Sequence, residues 1–200
     1  MSNVTSICGT PRGAGAIPVR LNLPIDLFCE AEAKAFELYN VLAEEGIAEA
    51  QDNLGRCFDE GVGTEVNHEM AFYWYRKAAE QGYADSQFNL GVCYERGKGA
   101  EIDLEEAFKW YLLAAEQNHA FSQFNVGLCY AKGWGTPIDL EKAFQYYLSS
   151  AELGDVYGQN NVAICYEKGL GTAVNYEKAF KPHYVEAIKH KGLTINAFKK

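Results

Sequence analysis

Long apolar segments are missing from this 200-residue sequence. No window approaches the roughly 18 consecutive apolar residues of a membrane-spanning helix, and the glycine- and proline-containing start has no run suited to a secretion signal. Basic residues are scarcer than acidic ones, and the formal net charge of −9 argues against general affinity for nucleic acid or anionic membranes. We therefore expect a soluble, cytoplasmic protein without a nucleic-acid or membrane partner.

The short motifs of known catalytic and metal centres are also missing. The sequence has no Cys-x-x-Cys, no Gly-x-Ser-x-Gly and no Ser-x-x-Lys, and His68-Glu69 lacks the second histidine of a zinc protease. The remaining histidines, His119, His183 and His190, are not spaced as metal ligands. We expect no enzymatic activity, no cofactor and no metal site. A hydrolase with an unfamiliar site is the minor alternative.

What the sequence contains instead is one pattern that occurs four times with a period of 36 residues. Each copy has an asparagine, an aliphatic residue, a small residue, a cysteine and an aromatic residue in the same order, and a Gly-x-Gly follows shortly. The copies begin at Asn53, Asn89, Asn125 and Asn161. A fixed period of about 20–50 residues is typical of stacked repeats, which offer partners a long surface rather than one deep pocket.

The spacing within one copy predicts two helices. Residues 85–96 carry apolar side chains at helical spacing, and Gly97 and Gly99 suit the turn that ends this first helix. Asp103 is the expected N-cap of a second helix that runs to about Gln117, with Glu106 at the second position of a capping box. The chain is therefore predicted to be an all-α solenoid of helix-turn-helix repeats.

The predicted organisation follows from this register. In chain order we expect a disordered or loosely attached segment (1–25), a capping half-repeat helix (26–48), three repeats (49–84, 85–120, 121–156), a degenerate fourth repeat with a C-terminal cap (157–191) and a tail (192–200). Pro182 is expected to kink or restart the last helix. Because both ends are unlike dedicated caps, a fragment of a longer array or an engineered array is a further alternative.

Small residues inside the first helices predict close packing. Glycine in a helix costs about 1 kcal/mol relative to alanine, so its recurrence suggests that the second helix crosses nearby. The positions are Gly55, Gly91, Gly127 and Ala163, and the expected contact surface on the second helices consists of Ala78-Ala79, Ala114-Ala115 and Ser150-Ala151. Recurring aromatic residues are expected in the core between hairpins: Trp74, Trp110, Tyr75, Tyr111 and Tyr147.

Four cysteines recur at one place per repeat, namely Cys57, Cys93, Cys129 and Cys165. Equivalent helices of neighbouring repeats lie at least about 8–10 Å apart, whereas a disulfide needs Cα atoms closer than about 7 Å. These thiols are therefore predicted to be reduced and buried. Cys8 and Cys29 lie outside the register, and a disulfide between them stays an open alternative.

The repeated residues resemble the Sel1-like repeat, a relative of the tetratricopeptide repeat. The resemblance is carried by residues 89–99, 103–111 and 114–116 and by their equivalents one period away, and it extends over about residues 30–181. It implies a right-handed α-solenoid, and members of the family act mainly as adaptors and scaffolds. A secreted cysteine-rich branch linked to β-lactam binding has two cysteines per repeat, whereas this chain has one.

The related tetratricopeptide arrays suggest where a partner binds. There the first helices line the concave face, and an asparagine at the matching place bonds the backbone or carboxylate of a bound peptide. By this analogy the candidate residues are Asn53, Asn89, Asn125 and Asn161, together with Asp52, Arg56 and Asp59 in the first repeat, Phe88, Val92 and Glu95 in the second, Phe124, Leu128 and Ala131 in the third, and Asn160, Ile164 and Glu167 in the fourth. The alternative is that the asparagines only stabilise neighbouring repeats.

The predicted function is that of an adaptor or scaffold that binds a protein or peptide in its concave groove. The apolar side chains of the two middle repeats predict a peptide with an apolar or aromatic anchor. The alternative function is a regulatory subunit that activates or inhibits a bound enzyme. The lysine-rich segment from Tyr176 onward is expected to be solvated, and a monomer is favoured.

Overall fold

The computed structural model describes residues 25–180, with side chains from residue 29 onward. Every regular element in this range is an α-helix: α1 (Ile25–Glu44), α2 (Ala48–Glu60), α3 (His68–Glu80), α4 (Ala84–Arg96), α5 (Leu104–Glu116), α6 (Ala120–Lys132), α7 (Leu140–Glu152), α8 (Val156–Lys168) and α9 (Tyr176–Ala179). The predicted N-terminal segment, the effect of Pro182, the C-terminal cap and the tail lie outside the described residues.

The helices form a series of hairpins in which each helix packs mainly on its neighbours in the chain. We refer to α2–α3, α4–α5, α6–α7 and α8–α9 as units 1 to 4. The first helix of each unit begins 36 residues after the first helix of the preceding unit. The prediction of an all-α solenoid of helix-turn-helix repeats is therefore confirmed.

Local sequence determines where the helices begin and end. Gly97 follows α4 with a φ of 69°, a conformation that glycine adopts without strain, and its N–H donates to the Cys93 carbonyl. The Asp103 carboxylate caps α5 by accepting from the backbone N–H groups of Glu105 and Glu106, both at 3.0 Å. The Asp103 N–H donates to the Tyr94 carbonyl at 3.0 Å, and the Glu106 carboxylate accepts from Lys109 at 2.6 Å, so Asp103 and Glu106 do not form a capping box.

The second glycine of each turn allows successive units to approach closely. A side chain at Gly99 would collide with the His68 carbonyl oxygen at the start of α3, and Gly135 stands in the same relation to Leu104. The Gly-x-Gly turns therefore have a packing role, because they hold the turn of one unit against the second helix of the preceding unit.

The glycines within the first helices confirm close crossing, but the predicted contact surface is wrong. A Cβ at Gly91 would lie 2.6 Å from the Tyr111 ring, and Gly55 and Gly127 face Tyr75 and Tyr147 in the same way. The nearest atoms to these glycines do not come from the alanine pairs. The Ala79 carbonyl, for example, accepts from the Gln87 side chain of the next unit at 3.3 Å. A tyrosine ring, rather than a small second-helix surface, therefore excludes larger side chains.

The prediction that the repeat cysteines are buried and reduced is confirmed. Cys57, Cys93, Cys129 and Cys165 are buried and form no disulfide. Burial raises the pKa of the Cys93 and Cys129 thiols to about 12, so they remain protonated at neutral pH. Trp74, Tyr75, Tyr111 and Tyr147 are likewise buried between hairpins, and Trp110 is partly buried. Cys8 lies outside the described residues, so its disulfide alternative stays a prediction.

Candidate partner-binding face

The predicted binding residues lie on the first helices of the four units, α2, α4, α6 and α8. We call the surface formed by the side chains of these helices that are not enclosed within the hairpins the A-helix face. Its four predicted asparagines are not equivalent. The amides of Asn53 and Asn161 donate to carbonyls one turn earlier in their own helices, Glu49 and Tyr157, both at 2.9 Å.

The Asn89 amide has a role between units. Its Nδ2 donates to Asp52 Oδ1 at 3.1 Å, and Ser86 Oγ donates to the same oxygen at 2.6 Å. Asp52 is only 4% exposed. Burial raises the pKa of this carboxyl, while the hydrogen bonds from Ser86 and Asn89 oppose that shift. Asn89 and Ser86 therefore link unit 2 to unit 1 through a buried carboxylate.

Aromatic side chains from three units form a cleft of about 190 Å³ on the A-helix face. Five predicted residues meet there: Phe88, Val92, Glu95, Phe124 and Asn125. Sequence reasoning missed four more that line the same cleft: Arg96, Tyr111, Phe121 and Tyr157. Phe121 and Tyr157 are 51% and 47% exposed, so the cleft presents apolar surface to solvent.

The rings of the cleft contact each other across the junctions between units. The Phe88 ring lies 6.2 Å from Phe121 between centroids, and Phe124 lies 5.6 Å from Tyr157. His119, the N-cap of α6, lies 5.0 Å from Phe88. These tilted ring contacts fix the walls of the cleft without filling it.

The polar groups that border the cleft differ in whether they are free to form a hydrogen bond with a ligand. The Tyr111 hydroxyl donates to Glu95 Oε2 at 2.6 Å, and burial and this carboxylate raise the pKa of the phenol, so it stays a donor. Arg96 is exposed at the cleft. Within the described part of the chain, the Asn125 amide makes no hydrogen bond. It therefore has both a donor and an acceptor available at the edge of an apolar cleft.

The other predicted residues do not join the cleft. Asp59 accepts from Lys98 Nζ at 2.8 Å with both carboxylate oxygens and contacts His68 Nδ1 at 2.9 Å, so its charge is paired. Asn160 is buried, and Arg56 is exposed on α2. Four positions are partly buried on α6 and α8, namely Leu128, Ala131, Ile164 and Glu167. Binding roles for these residues stay predictions.

A sequence signal for the missed residues was present in the repeat register. Phe121 and Tyr157 occupy equivalent positions in the first turn of α6 and α8, and Asp85 occupies that position in α4. The positions that correspond to the binding positions of the related fold do not include this first turn. The ring contacts across the junctions come only from the packing of neighbouring units.

Between residues 25 and 180, no helix is long and apolar enough to cross a membrane. In the same range, no three His, Cys, Asp or Glu side chains are grouped so that they could hold a metal ion.

Solved structures similar to this chain are repeat proteins. A Sel1 repeat protein from Oxalobacter formigenes is 35% identical with a TM-score of 0.74, and the match covers 80% of this chain and 63% of that one. The protein c5321, described as a protective antigen of uropathogenic Escherichia coli with an SLR fold, is 31% identical with a TM-score of 0.73. That match covers 78% of this chain and 33% of c5321, so this chain spans less than two thirds of either relative. The comparison with curated proteins finds no match.

The family comparison agrees with the hairpin register. The Sel1 repeat model matches residues 48–83, 84–119, 120–155 and 156–181. The family is a non-catalytic type of repeat scaffold, and Sel1 repeat proteins generally mediate protein–protein interactions. Since the four matches cover more than half of the sequence, this chain belongs to the Sel1 repeat family.

Proposed function

We propose that the chain is an adaptor that binds an extended peptide segment of a protein partner along its A-helix face. The observation that carries the proposal is the aromatic cleft, where Phe121 and Tyr157 remain about half exposed. In this proposal, the cleft receives an aromatic or large aliphatic anchor of the peptide. In the expectation set out above, which rests on related tetratricopeptide arrays, the first helices line the concave groove.

Burial of the anchor side chain in the cleft supplies the main favourable contribution to the binding free energy. Burying a Phe, Leu or Met side chain contributes about 1.5–3 kcal/mol, and the exposed parts of Phe121 and Tyr157 lose contact with water at the same time. A few such anchors commonly dominate an interface. Removing the ring of Phe121 should therefore weaken binding by about tenfold or more.

Asn125 supplies a way to orient the peptide. Its amide lies at the cleft and is not used by another described residue, so it can donate to and accept from a peptide backbone. Asn53, Asn89 and Asn161 already donate to groups of the protein. We therefore assign the orienting role to Asn125 and the buried link between units to Asn89.

Peptide display tests the proposal. Random 12-residue peptides would be selected on the immobilised chain, and the affinities of selected peptides measured by fluorescence anisotropy for the wild type, Phe121→Ala and Tyr73→Ala. Tyr73, on α3, is 46% exposed and lies outside the cleft, so it is a matched control for loss of an exposed ring. Circular dichroism would establish that both variants fold.

We expect Phe121→Ala to weaken binding by about tenfold and Tyr73→Ala to leave it unchanged. Equal affinities of the two variants for every selected peptide would refute binding in the cleft. Regulation of an enzyme, the alternative function, would use the same face; it is tested by assaying an identified enzyme partner with and without the chain.

A further inference from the structure

The side chains that meet at the junctions change character from one junction to the next. Between units 2 and 3 the facing residues are Phe88 and Phe121, and between units 3 and 4 they are Phe124 and Tyr157. At the equivalent positions between units 1 and 2, the residues are Asp52 and Asp85. Two carboxylates therefore take the place of two rings, one repeat before the aromatic cleft.

The two carboxylates have different environments. Asp52 is buried and accepts from Ser86 and Asn89, whereas the Asp85 side chain is mostly exposed. Ser86, the residue after Asp85, donates to Asp52 Oδ1 at 2.6 Å, so both carboxylates lie at the same junction. Asp85 therefore presents its carboxylate to solvent in front of a second, buried carboxylate.

Asp85 also lies beside the cleft. Its Oδ1 is 3.4 Å from His119 Nε2, and the His119 ring makes a tilted contact with Phe88. Burial lowers the pKa of His119, so the imidazole is neutral at pH 7 and does not cancel the Asp85 charge. Arg56, one turn after Asp52 on α2, is exposed, so solvent screens its charge.

The sign of the charge changes along the A-helix face. The residue that ends each first helix is Glu60 in unit 1 and then Arg96, Lys132 and Lys168 in the following units. Arg96 lines the cleft, so this register position faces the proposed ligand. An extended peptide with a cation at one end consequently has one favourable direction, with that end toward unit 1.

We propose that the partner peptide carries a lysine or arginine about three residues from its apolar anchor, and that Asp85 binds this cation while the aromatic cleft holds the anchor. This inference rests on the proposed function. The spacing follows from the fold: packed helices lie about 8–10 Å apart, and an extended chain advances about 3.3 Å per residue. The cation therefore reaches the junction of units 1 and 2 when the anchor occupies the next junction.

A positional scan of one peptide tests the inference. The tightest display-selected peptide that depends on Phe121 would be made with Lys, Ser or Glu at each position other than the anchor. Each version would be titrated against the wild type, Asp85→Asn and Glu101→Gln. Glu101 is an exposed residue between α4 and α5, so its change removes the same charge away from the A-helix face.

The expected result is a two- to fivefold preference for Lys over Ser at one position about three residues from the anchor, as for an exposed ion pair. Asp85→Asn should abolish this preference, Glu101→Gln should retain it, and 0.5 M salt should weaken it, because screening lengths are about 10 Å or less above 0.1 M. Glu at that position should bind more weakly than Ser.

Four results would overturn the inference. If no position prefers Lys, or if Asp85→Asn keeps the preference, the acidic junction is not a binding subsite, although dependence on Phe121 still supports the proposed function. If the selected peptides ignore Phe121→Ala, the proposed function itself is wrong. A concentration-dependent dimer of the wild type that Phe121→Ala dissociates would place a second copy of the chain in the cleft.

Discussion

A row of glutamine pairs that stops after the second unit gives a sharp test of the packing. Gln51 Oε1 accepts from Gln81 Nε2 at 2.7 Å in unit 1, and Gln87 Oε1 accepts from Gln117 Nε2 at 2.8 Å in unit 2. In unit 3 the donor position is Leu153, and Gln123 Oε1 is buried without a hydrogen-bond partner among the described residues. Changing Leu153 to Gln should supply the missing donor.

The expected change in the free energy of unfolding follows from two opposing contributions. A buried acceptor without a partner costs about 1–3 kcal/mol. Leu153 is 49% exposed, and losing its remaining apolar contact costs about 1 kcal/mol, half the value for a fully buried leucine. Its backbone angles, φ −80° and ψ 3°, match those of Gln81, φ −83° and ψ −1°, so glutamine fits without strain. We expect a net stabilisation of about 1 kcal/mol.

Denaturant unfolding followed by circular dichroism measures this change for Leu153→Gln in two backgrounds, the wild type and Gln123→Met. Because methionine has no acceptor comparable to the amide oxygen, the second background removes the new bond while nearly preserving side-chain volume. We expect the gain, and a rise in Tm of about 2–4 °C, only in the first background. A similar effect of Leu153→Gln in both backgrounds would refute the glutamine pairing.

Three further predictions concern the links between helices. Asn89→Ala should destabilise the protein by about 1–3 kcal/mol, because it removes a donor from buried Asp52. Asn53→Ala should cost less than about 0.5 kcal/mol, since its amide bonds only its own helix. Equal losses of unfolding free energy would contradict the link between units. Gly91→Ala should destabilise the protein by about 1–3 kcal/mol despite the better helix propensity of alanine, because the new Cβ meets the Tyr111 ring. An unchanged denaturation midpoint would show that the ring moves freely. The folded-state pKa of Asp52 is raised, so its contribution to stability is present below the ordinary value of 3.8 and is lost as pH rises through the folded pKa. The stability of Asp52→Asn relative to the wild type should therefore increase from about pH 4 to pH 7, and a constant difference would show that Asp52 does not titrate abnormally.

The architecture could be predicted from sequence because it depends on local rules applied at each period. Apolar spacing predicts the helices, Gly97 ends α4 because it accepts a positive φ, and Asp103 begins α5 because its carboxylate satisfies free N–H groups. The buried, unpaired state of the repeat cysteines followed from helix-packing distances alone. None of these conclusions required knowledge of which side chains meet across units.

The candidate site was only partly predictable because it depends on such meetings. Phe88 and Phe124 were identified by their places in the repeat, but Phe121 and Tyr157 join them only because the first turn of one unit packs against the first helix of the preceding unit. Asn89 has the same register as Asn125, yet its amide is taken by Asp52, which occupies the place that phenylalanine holds in units 2 and 3.

The sequence by itself determined the repeat period, the helices and their ends, and the burial of the recurring cysteines, because these follow from interactions within about 36 residues. Only the tertiary structure decided that a tyrosine ring faces Gly55, Gly91 and Gly127, that one asparagine binds a buried carboxylate, and that five rings line a cleft. The physical reason is that identical register positions acquire different partners when the neighbouring unit differs. The character of each junction is therefore a property of pairs of units.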